Sequence, residues 1–495
     1  MVSFNRVLIL ICVCVLFFAT LLYNVSMKTS EYIFPTLNDN LSVFLITFLL
    51  GIELSILIFS QFKITNVLPS VSPLVIPKTS FKAMRPAIFL FLFGIDLSIS
   101  ILPLQMEKLY EPIFGLSKEL VIALPISLEF LCVGIALLLS GAWLDRRGWV
   151  EPFISGILLT SLGGFISWFA SDAFQFLISR AILGFGYGLT LLAAQGFVIS
   201  NTTKKEKAQG LAHLFAGLYS GSICGAATGA IFAERFGYEF VFLAGAIICL
   251  SVLIYSVVYL NLVKQSSLTR SALRTRKVIK NSHNFRLIAT FLRDKRVLAT
   301  TLLSSLPASI AVIGFIHFFT PVYLNQNGVS ETEVGQVLML FGICLTLFGP
   351  PIGRLIDHTD NKKTPIFIGG LLGCSAFLLF YLGQGVMAVT LAVILLGLSN
   401  SFILSSQSAY ILELDITKKL GEGKSLGVFR ATSRLGQMLG PLIFAAILSM
   451  QNTAVGVVQF GVIYLLVVVL FQFALYKKDG ITGLSENSVS RESQT

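Results

Sequence analysis

The sequence predicts an all-α multi-pass membrane protein, built from two pseudo-symmetric six-helix halves and preceded by two extra helices. Three observations predict it. Of 495 residues, 55% are hydrophobic and 12% charged, against roughly 25% charged in an ordinary soluble domain, which excludes a water-soluble fold. Apolar runs of about 20 residues, enough to span a bilayer as helices, recur along the whole chain. One polar pattern also occurs twice, as Gly141-Ala142-Trp143-Leu144-Asp145-Arg146-Arg147-Gly148 and as Gly353-Arg354-Leu355-Ile356-Asp357-His358-Thr359-Asp360-Asn361-Lys362-Lys363, each wedged between apolar runs. A loop that returns half a chain later points to a transporter made of two related halves.

Fourteen apolar runs read as spanning helices: 7–23, 42–60, 86–104, 121–144, 152–171, 174–199, 208–232, 238–262, 298–323, 333–356, 364–384, 386–412, 427–449 and 453–476. The net charge of +11 raises the question of a nucleic-acid partner, and the placement of the charges answers it. With the N-terminus cytoplasmic, 31 of the 36 Lys and Arg fall inside, Lys28, Lys108, Lys118 and Arg235 fall outside, and Arg180 lies within a helix. That is the positive-inside pattern, not a nucleic-acid face. The richest basic stretch, Lys264 to Arg296, carries Asp294 as its single acid. It separates the two halves, sets topology and meets anionic lipid headgroups.

The expected organisation is therefore two additional helices with a Pro-containing cytoplasmic linker over 1–84, an N-terminal bundle over 85–262, a basic linker over 263–297, a C-terminal bundle over 298–476 and a polar, disordered tail over 477–495. No small-x-small cleavage site follows 7–23, so this segment reads as a retained anchor rather than a signal peptide. Cys12, Cys14, Cys132, Cys224, Cys249, Cys344 and Cys374 all fall in helices without metal-type spacing and read as small packing residues. Glu53 is intramembrane within the leading pair, and nothing in the pattern assigns it a role.

The loop Gly141 to Gly148 resembles the signature between the second and third helices of the major facilitator superfamily, a resemblance that covers roughly residues 86–476. It implies a conformational latch. Gly141, Asp145, Arg146 and Gly148 would meet the start of core helix 11, near Gly427, Arg430 and Arg434, and Gly353 and Asp357 would meet the start of core helix 5 near Leu211 by pseudo-symmetry. An aspartate there can accept hydrogen bonds at the positive end of a helix. This copy departs from the family pattern in having Trp149 and Val150 where basic residues are usual. Arg180-Ala181-Ile182-Leu183-Gly184-Phe185-Gly186-Tyr187-Gly188 resembles the family motif that puts an arginine inside helix 4.

Such an arginine is costly unless paired, and its partners are Glu129 in core helix 2 and Asp96 in core helix 1. Burial and a neighbouring arginine act in opposite senses on a carboxylate's hold on its proton, so its charge can respond to substrate and conformation. A static, helix-orienting ion pair is the plainer reading for Glu129 with Arg180. For Asp96 the segment Gly94 to Pro103 resembles the first-helix motif of family exporters, with Pro103 ending the helix near the outer face. His317 can titrate or bind solute, although a histidine among Phe315, Phe318 and Phe319 is more often simply packed.

Glycines four apart on one helix face allow close helix contact, as Gly221, Gly225 and Gly229 do in core helix 5 and Gly436 and Gly440, with Pro441, in core helix 11; Gly184 and Gly186 are further packing glycines in core helix 4. Family antiporters carry a proline after such a run in helix 5, and Ala226 stands there instead. The second half offers neutral polar groups, among them Ser304, Asn400, Gln407 and Gln437, rather than a membrane-centred carboxylate.

The expectation is thus a secondary active transporter working by alternating access, most simply a proton-coupled exporter of a small organic solute such as a drug-like compound, a metabolite or a siderophore. A proton-symport nutrient importer and a transporter-like membrane sensor are the alternatives. The expected partners are a small-molecule substrate, a coupling proton and membrane lipid, with no cofactor, metal or nucleic acid, and a monomer in the plasma membrane (the inner membrane of a bacterium) with both termini cytoplasmic. An enzyme is not expected, because no nucleophile with a base, no metal cluster and no phosphate-cradling loop is present.

Overall fold

The computed structural model describes residues 81–112, 115–202, 207–259, 282–359, 361–420 and 422–476. The expected helices 7–23 and 42–60, Glu53, most of the basic linker and the tail lie outside them. Twelve helical segments follow one another. They are α1, in two pieces (Met84–Asp96 and Leu102–Lys108), α2 (Lys118–Arg147), α3 (Val150–Phe169), α4 (Ala173–Asn201), α5 (Lys207–Phe236) and α6 (Tyr238–Tyr259). After the amphipathic helix Ser282–Arg293 come α7 (Lys295–Gln326), α8 (Glu331–Asp357), α9 (Lys363–Leu378), α10 (Val386–Glu413), α11 (Glu422–Leu448) and α12 (Thr453–Tyr476). Among the described residues, 11 helices are long and apolar enough to cross a membrane, and α1 misses that length because it is broken.

The break corrects the expectation of a continuous first core helix that Pro103 ends. After Asp96 the backbone tightens into i−3 turns, Ile99 N–H donating to the Asp96 carbonyl at 3.2 Å and Ile101 N–H to the Ser98 carbonyl at 3.1 Å. Ser98 Oγ helps by donating to the Ile95 carbonyl at 3.1 Å. Pro103 then occupies the first turn of the second piece, where its missing N–H costs nothing. The proline starts a helix here instead of stopping one.

The other ends follow capping chemistry. Ser117 Oγ accepts from Leu120 N–H at the start of α2 and Asp172 Oδ1 from Gln175 N–H, 2.8 Å, at the start of α4. Asp294, the lone acid of the basic stretch, caps α7 by accepting from Arg296 N–H at 2.9 Å. Gly148 ends α2 with φ +81°, a left-handed value that favours glycine. In α7 the helix is wound as π-helix over Thr301–Ser305 and Ala311–Phe319, a departure that the continuous apolar run 298–323 did not announce.

Small residues set the helix spacing. On α5, Gly221, Gly225 and Gly229 lie against the backbone of Phe89, Phe93 and Leu97 in α1; on α11, Gly436 and Gly440 lie against Leu306 and Gly314 of α7. A Cβ at Gly229 would collide with the Leu97 carbonyl, so α1 and α5 can approach this closely only with glycine there. The second half packs around phenylalanines: Phe315 sits 5.3 Å from Phe377 and 5.7 Å from Phe444, centroid to centroid, and all three are fully buried. These rings form core, not the solute lining that their abundance allowed.

The halves meet along α2 with α11 and α5 with α8. At the end opposite the repeated Asp loops, Tyr238 of α6 donates to Glu331 of α8 at 2.8 Å, and Glu234 of α5 accepts from Thr332 N–H at 2.9 Å.

Candidate functional site

The break in α1 leaves Asp96 as the last residue of its first piece. Glu129 projects from the middle of α2 and Arg180 from α4, with exposures of only 2% and 1%. Arg180 Nη1 lies 3.8 Å from Glu129 Oε2, an ion pair too long for a hydrogen bond. The same nitrogen donates to Ser98 Oγ of α1 at 3.3 Å, and Nη2 donates to Ser167 Oγ of α3. The rings of Phe176 and Phe242, at 5.6 and 5.5 Å, flank the guanidinium within cation–π range. Asp96 lies within hydrogen-bonding reach of Ser222 on α5. One guanidinium and two carboxyl side chains thus touch every helix of the first half.

Gly184, one turn beyond Arg180, makes this possible. A Cβ there would collide with the Glu129 backbone, so glycine lets α4 approach α2 closely at the level of the pair. Gly186 does the same for α3, facing Gly156 and Thr160. The arrangement can hold charge in a place from which water is excluded, and can change that charge by one proton without a hydrogen bond between the paired groups being broken.

Tyr187 belongs to this site and was not singled out from the sequence. It stands 6.2 Å from Phe91, ring to ring, and feels the charges of Arg434, Asp96 and Glu129. The available signal was its spacing of seven from Arg180, two turns along one helix face. Arg434 of α11, expected at the latch, lies here: its guanidinium is 5.8 Å from the Tyr187 ring and 6.0 Å from that of Phe130, and donates to Gln437 Oε1 at 2.6 Å.

The remaining expected residues are not gathered at this cluster. Gln407 Nε2 donates to Ser304 Oγ at 2.8 Å, joining α10 to α7, and Asn400 is half-buried on α10. His317 lies in the π-helical part of α7, its Nδ1 without a hydrogen bond among the described residues. No hydrogen bond or ion pair among the described residues joins His317 or Asn400 to Asp96, Glu129 or Arg180.

At the repeated loops, Asp145 and Arg146 fall in the last turn of α2 and Asp357 is the last residue of α8; their side chains lie outside the described residues. Gly141 faces Leu192 and Gly353 faces Ser405, each at 4.0 Å within its own half. Arg430 donates to Ser408 Oγ at 3.2 Å and lies 4.7 Å from the Phe215 ring, a contact from α11 to α5 across the halves. Trp149, the departure from the basic pattern, is buried at edge-on contact with Phe153 and Phe197. It anchors the turn by packing where a basic residue would do so by charge.

The family model described as the Major Facilitator Superfamily matches residues 86–415 and 313–487, which together cover all twelve described segments. The chain belongs to the major facilitator superfamily. It is a multi-pass membrane transporter and not an enzyme. The superfamily chain is 22% identical over 393 residues to the staphyloferrin B transporter of Staphylococcus aureus, covering 78% of this chain and 90% of that one. To multidrug resistance protein MdtG of Proteus mirabilis it is 25% identical, covering 71% and 85%. To multidrug resistance protein 1 of Bacillus subtilis it is 31% identical over 150 residues, 30% of this chain and 38% of that relative's length. A POT family transporter solved with a thioalcohol-conjugated peptide superposes with a TM-score of 0.60 over 79% of this chain and 95% of that one, at 13% identity, a likeness of fold alone.

Proposed function

We propose that this major facilitator is a proton-coupled exporter of a small organic solute, driven by alternating access of a site between its two halves. The observation that carries the reading is the cluster of half-buried Asp96 with buried Glu129 and Arg180, anchored on every helix of the first half. A carboxylate that is dry in one state and hydrated in another exchanges its proton as the halves rock, which ties solute movement to proton movement. Asp96, at the break of α1, is the proton carrier. Glu129 and Arg180 form the charge pair that it answers to, and Gln407, Asn400 and His317 supply hydrogen bonds from the second half. The relatives named for multidrug resistance and for a siderophore support export of a drug-like compound, a metabolite or a siderophore. Asp145 and Asp357, with Arg430, latch the loop-bearing side shut in the outward-facing state. The protein works as a monomer in the plasma membrane, the inner membrane if bacterial, with its loop-bearing face and both termini cytoplasmic.

The test is accumulation by inverted membrane vesicles energised with a proton gradient and offered pooled labelled metabolites and dyes. Wild type accumulates a solute that Asp96→Asn does not. Uptake confined to right-side-out vesicles would reverse the direction and make the chain an importer.

A further inference from the structure

The first half neutralises its buried arginine with Glu129, two serines and two aromatic faces. Arg434, halfway along α11, has no such acid: among the described residues no carboxylate lies within ion-pair distance of it. Its partners are neutral. Gln437 Oε1 accepts at 2.6 Å, the Tyr187 hydroxyl is hydrogen-bonded to the guanidinium, and the rings of Phe130 and Tyr187, both from the other half, lie 6.0 and 5.8 Å from it. Gly134 of α2 leaves its Cβ position 3.6 Å from Arg434 Cβ, so the cation stands at the seam where the halves must part and rejoin.

A permanently charged, five-donor group halfway along a helix apolar enough to span a membrane is costly without an anion. Hydrogen bonds to Gln437 and to the Tyr187 hydroxyl use only part of its donor set and leave N–H groups able to take a carboxylate. The two rings beside it offer faces for a flat apolar body.

We infer that Arg434 is the anion-recognising residue of the transport site, and that the solute is an organic anion whose carboxylate is attached to an aromatic or similarly flat apolar body. The inference rests on the transporter reading above, since it places the solute between the halves. It requires neither proton coupling nor a direction of transport. The carboxylate lies against the guanidinium, Gln437 holds the fork in plane, and Phe130 and Tyr187 close on the ring. Asp96 and Glu129, beyond Tyr187, then feel an added negative charge whenever the site fills.

Equilibrium binding to the purified full-length chain tests this without any gradient. The probes are labelled aromatic carboxylates from benzoate to 2-naphthoate in size, each paired with its neutral amide and its aminomethyl cation. Wild type is expected to bind at least one carboxylate saturably, and more tightly than its amide by roughly tenfold or more. Arg434→Gln should remove that preference while still binding the amide saturably, and Arg434→Lys should keep part of it. Equal binding of carboxylate and amide by wild type, a preference for the cation, no saturable carboxylate binding, or a preference intact in Arg434→Gln would each overturn the inference. So would a variant that loses all three probe classes alike, since Arg434 would then serve the joining of the halves. Failure of the vesicle experiment with intact carboxylate selectivity would instead strike the export reading alone.

Discussion

Breaking the Glu129–Arg180 pair from both sides at once should cost less than the sum of breaking it from each side alone. The charges are separated by 3.8 Å, which at an effective dielectric constant of about 20 corresponds to an attraction of about 4 kcal/mol. Removal of one partner from a buried pair leaves the other charge unmatched, at a cost of about 3–5 kcal/mol. Glu129→Gln retains Ser98, Ser167 and the two aromatic faces around Arg180, so its loss belongs at the lower end. Arg180→Met strands the carboxylate and belongs at the upper end. The double variant removes both charges and should recover about 2 kcal/mol or more relative to the sum of the single losses. Thermal unfolding of the purified protein, followed by size-exclusion recovery, reads this, with about 1 °C per kcal/mol expected for a chain of this size. Strictly additive Tm losses would show that the pair carries no coupling and would refute the electrostatic account. A double variant restored in stability but inactive in transport would separate the pair's structural role from its role in coupling.

Three further outcomes follow from the packing and the loops. Gly229→Ala forces a methyl group onto the Leu97 carbonyl and should lower stability by about 1–3 kcal/mol, whereas Gly427→Ala, whose Cβ position meets nothing within 4 Å, should be neutral or slightly stabilising in the same unfolding assay. Tyr238→Phe with Glu234→Ala removes the two hydrogen bonds that join the halves at the end opposite the Asp loops. At about 1 kcal/mol each the pair should favour opening there by up to about 30-fold, seen as faster deuterium exchange in peptides 227–238 and 329–338; unchanged exchange would show that these bonds hold nothing shut. Asp145→Asn should slow the conformational cycle while leaving equilibrium solute binding intact, and loss of binding would place Asp145 in the site rather than the latch.

Most of this fold is legible in the sequence, because bilayer thickness fixes helix length and lysines and arginines mark one side of each loop. The Glu129–Arg180 pair is legible for a related reason: an arginine within an apolar helix demands a carboxylate, and few are available. What is hidden lies in the backbone and in three-dimensional registry. The break after Asp96 depends on i−3 turns and on a serine bonding back to the chain, which Leu97-Ser98-Ile99-Ser100 does not distinguish from a continuing helix, and Pro103 is as compatible with starting a helix as with ending one. The π-winding of α7 leaves the apolar pattern unchanged. Arg434 reads as a latch residue from its sequence neighbour Arg430, but four residues along α11 carry it about 6 Å deeper, from the loop end to the level of Tyr187. The contacts of Tyr238 and Glu234 with α8 join residues nearly a hundred positions apart, and no local pattern announces them.

The most direct measurement of the central claim is proton movement during transport by reconstituted proteoliposomes carrying an internal pH-sensitive dye. Addition of a transported solute should change internal pH in step with solute flux for wild type, and Asp96→Asn should carry no solute-dependent proton current. Solute flux in wild type with no accompanying proton movement, or the same proton current in Asp96→Asn, would contradict the account.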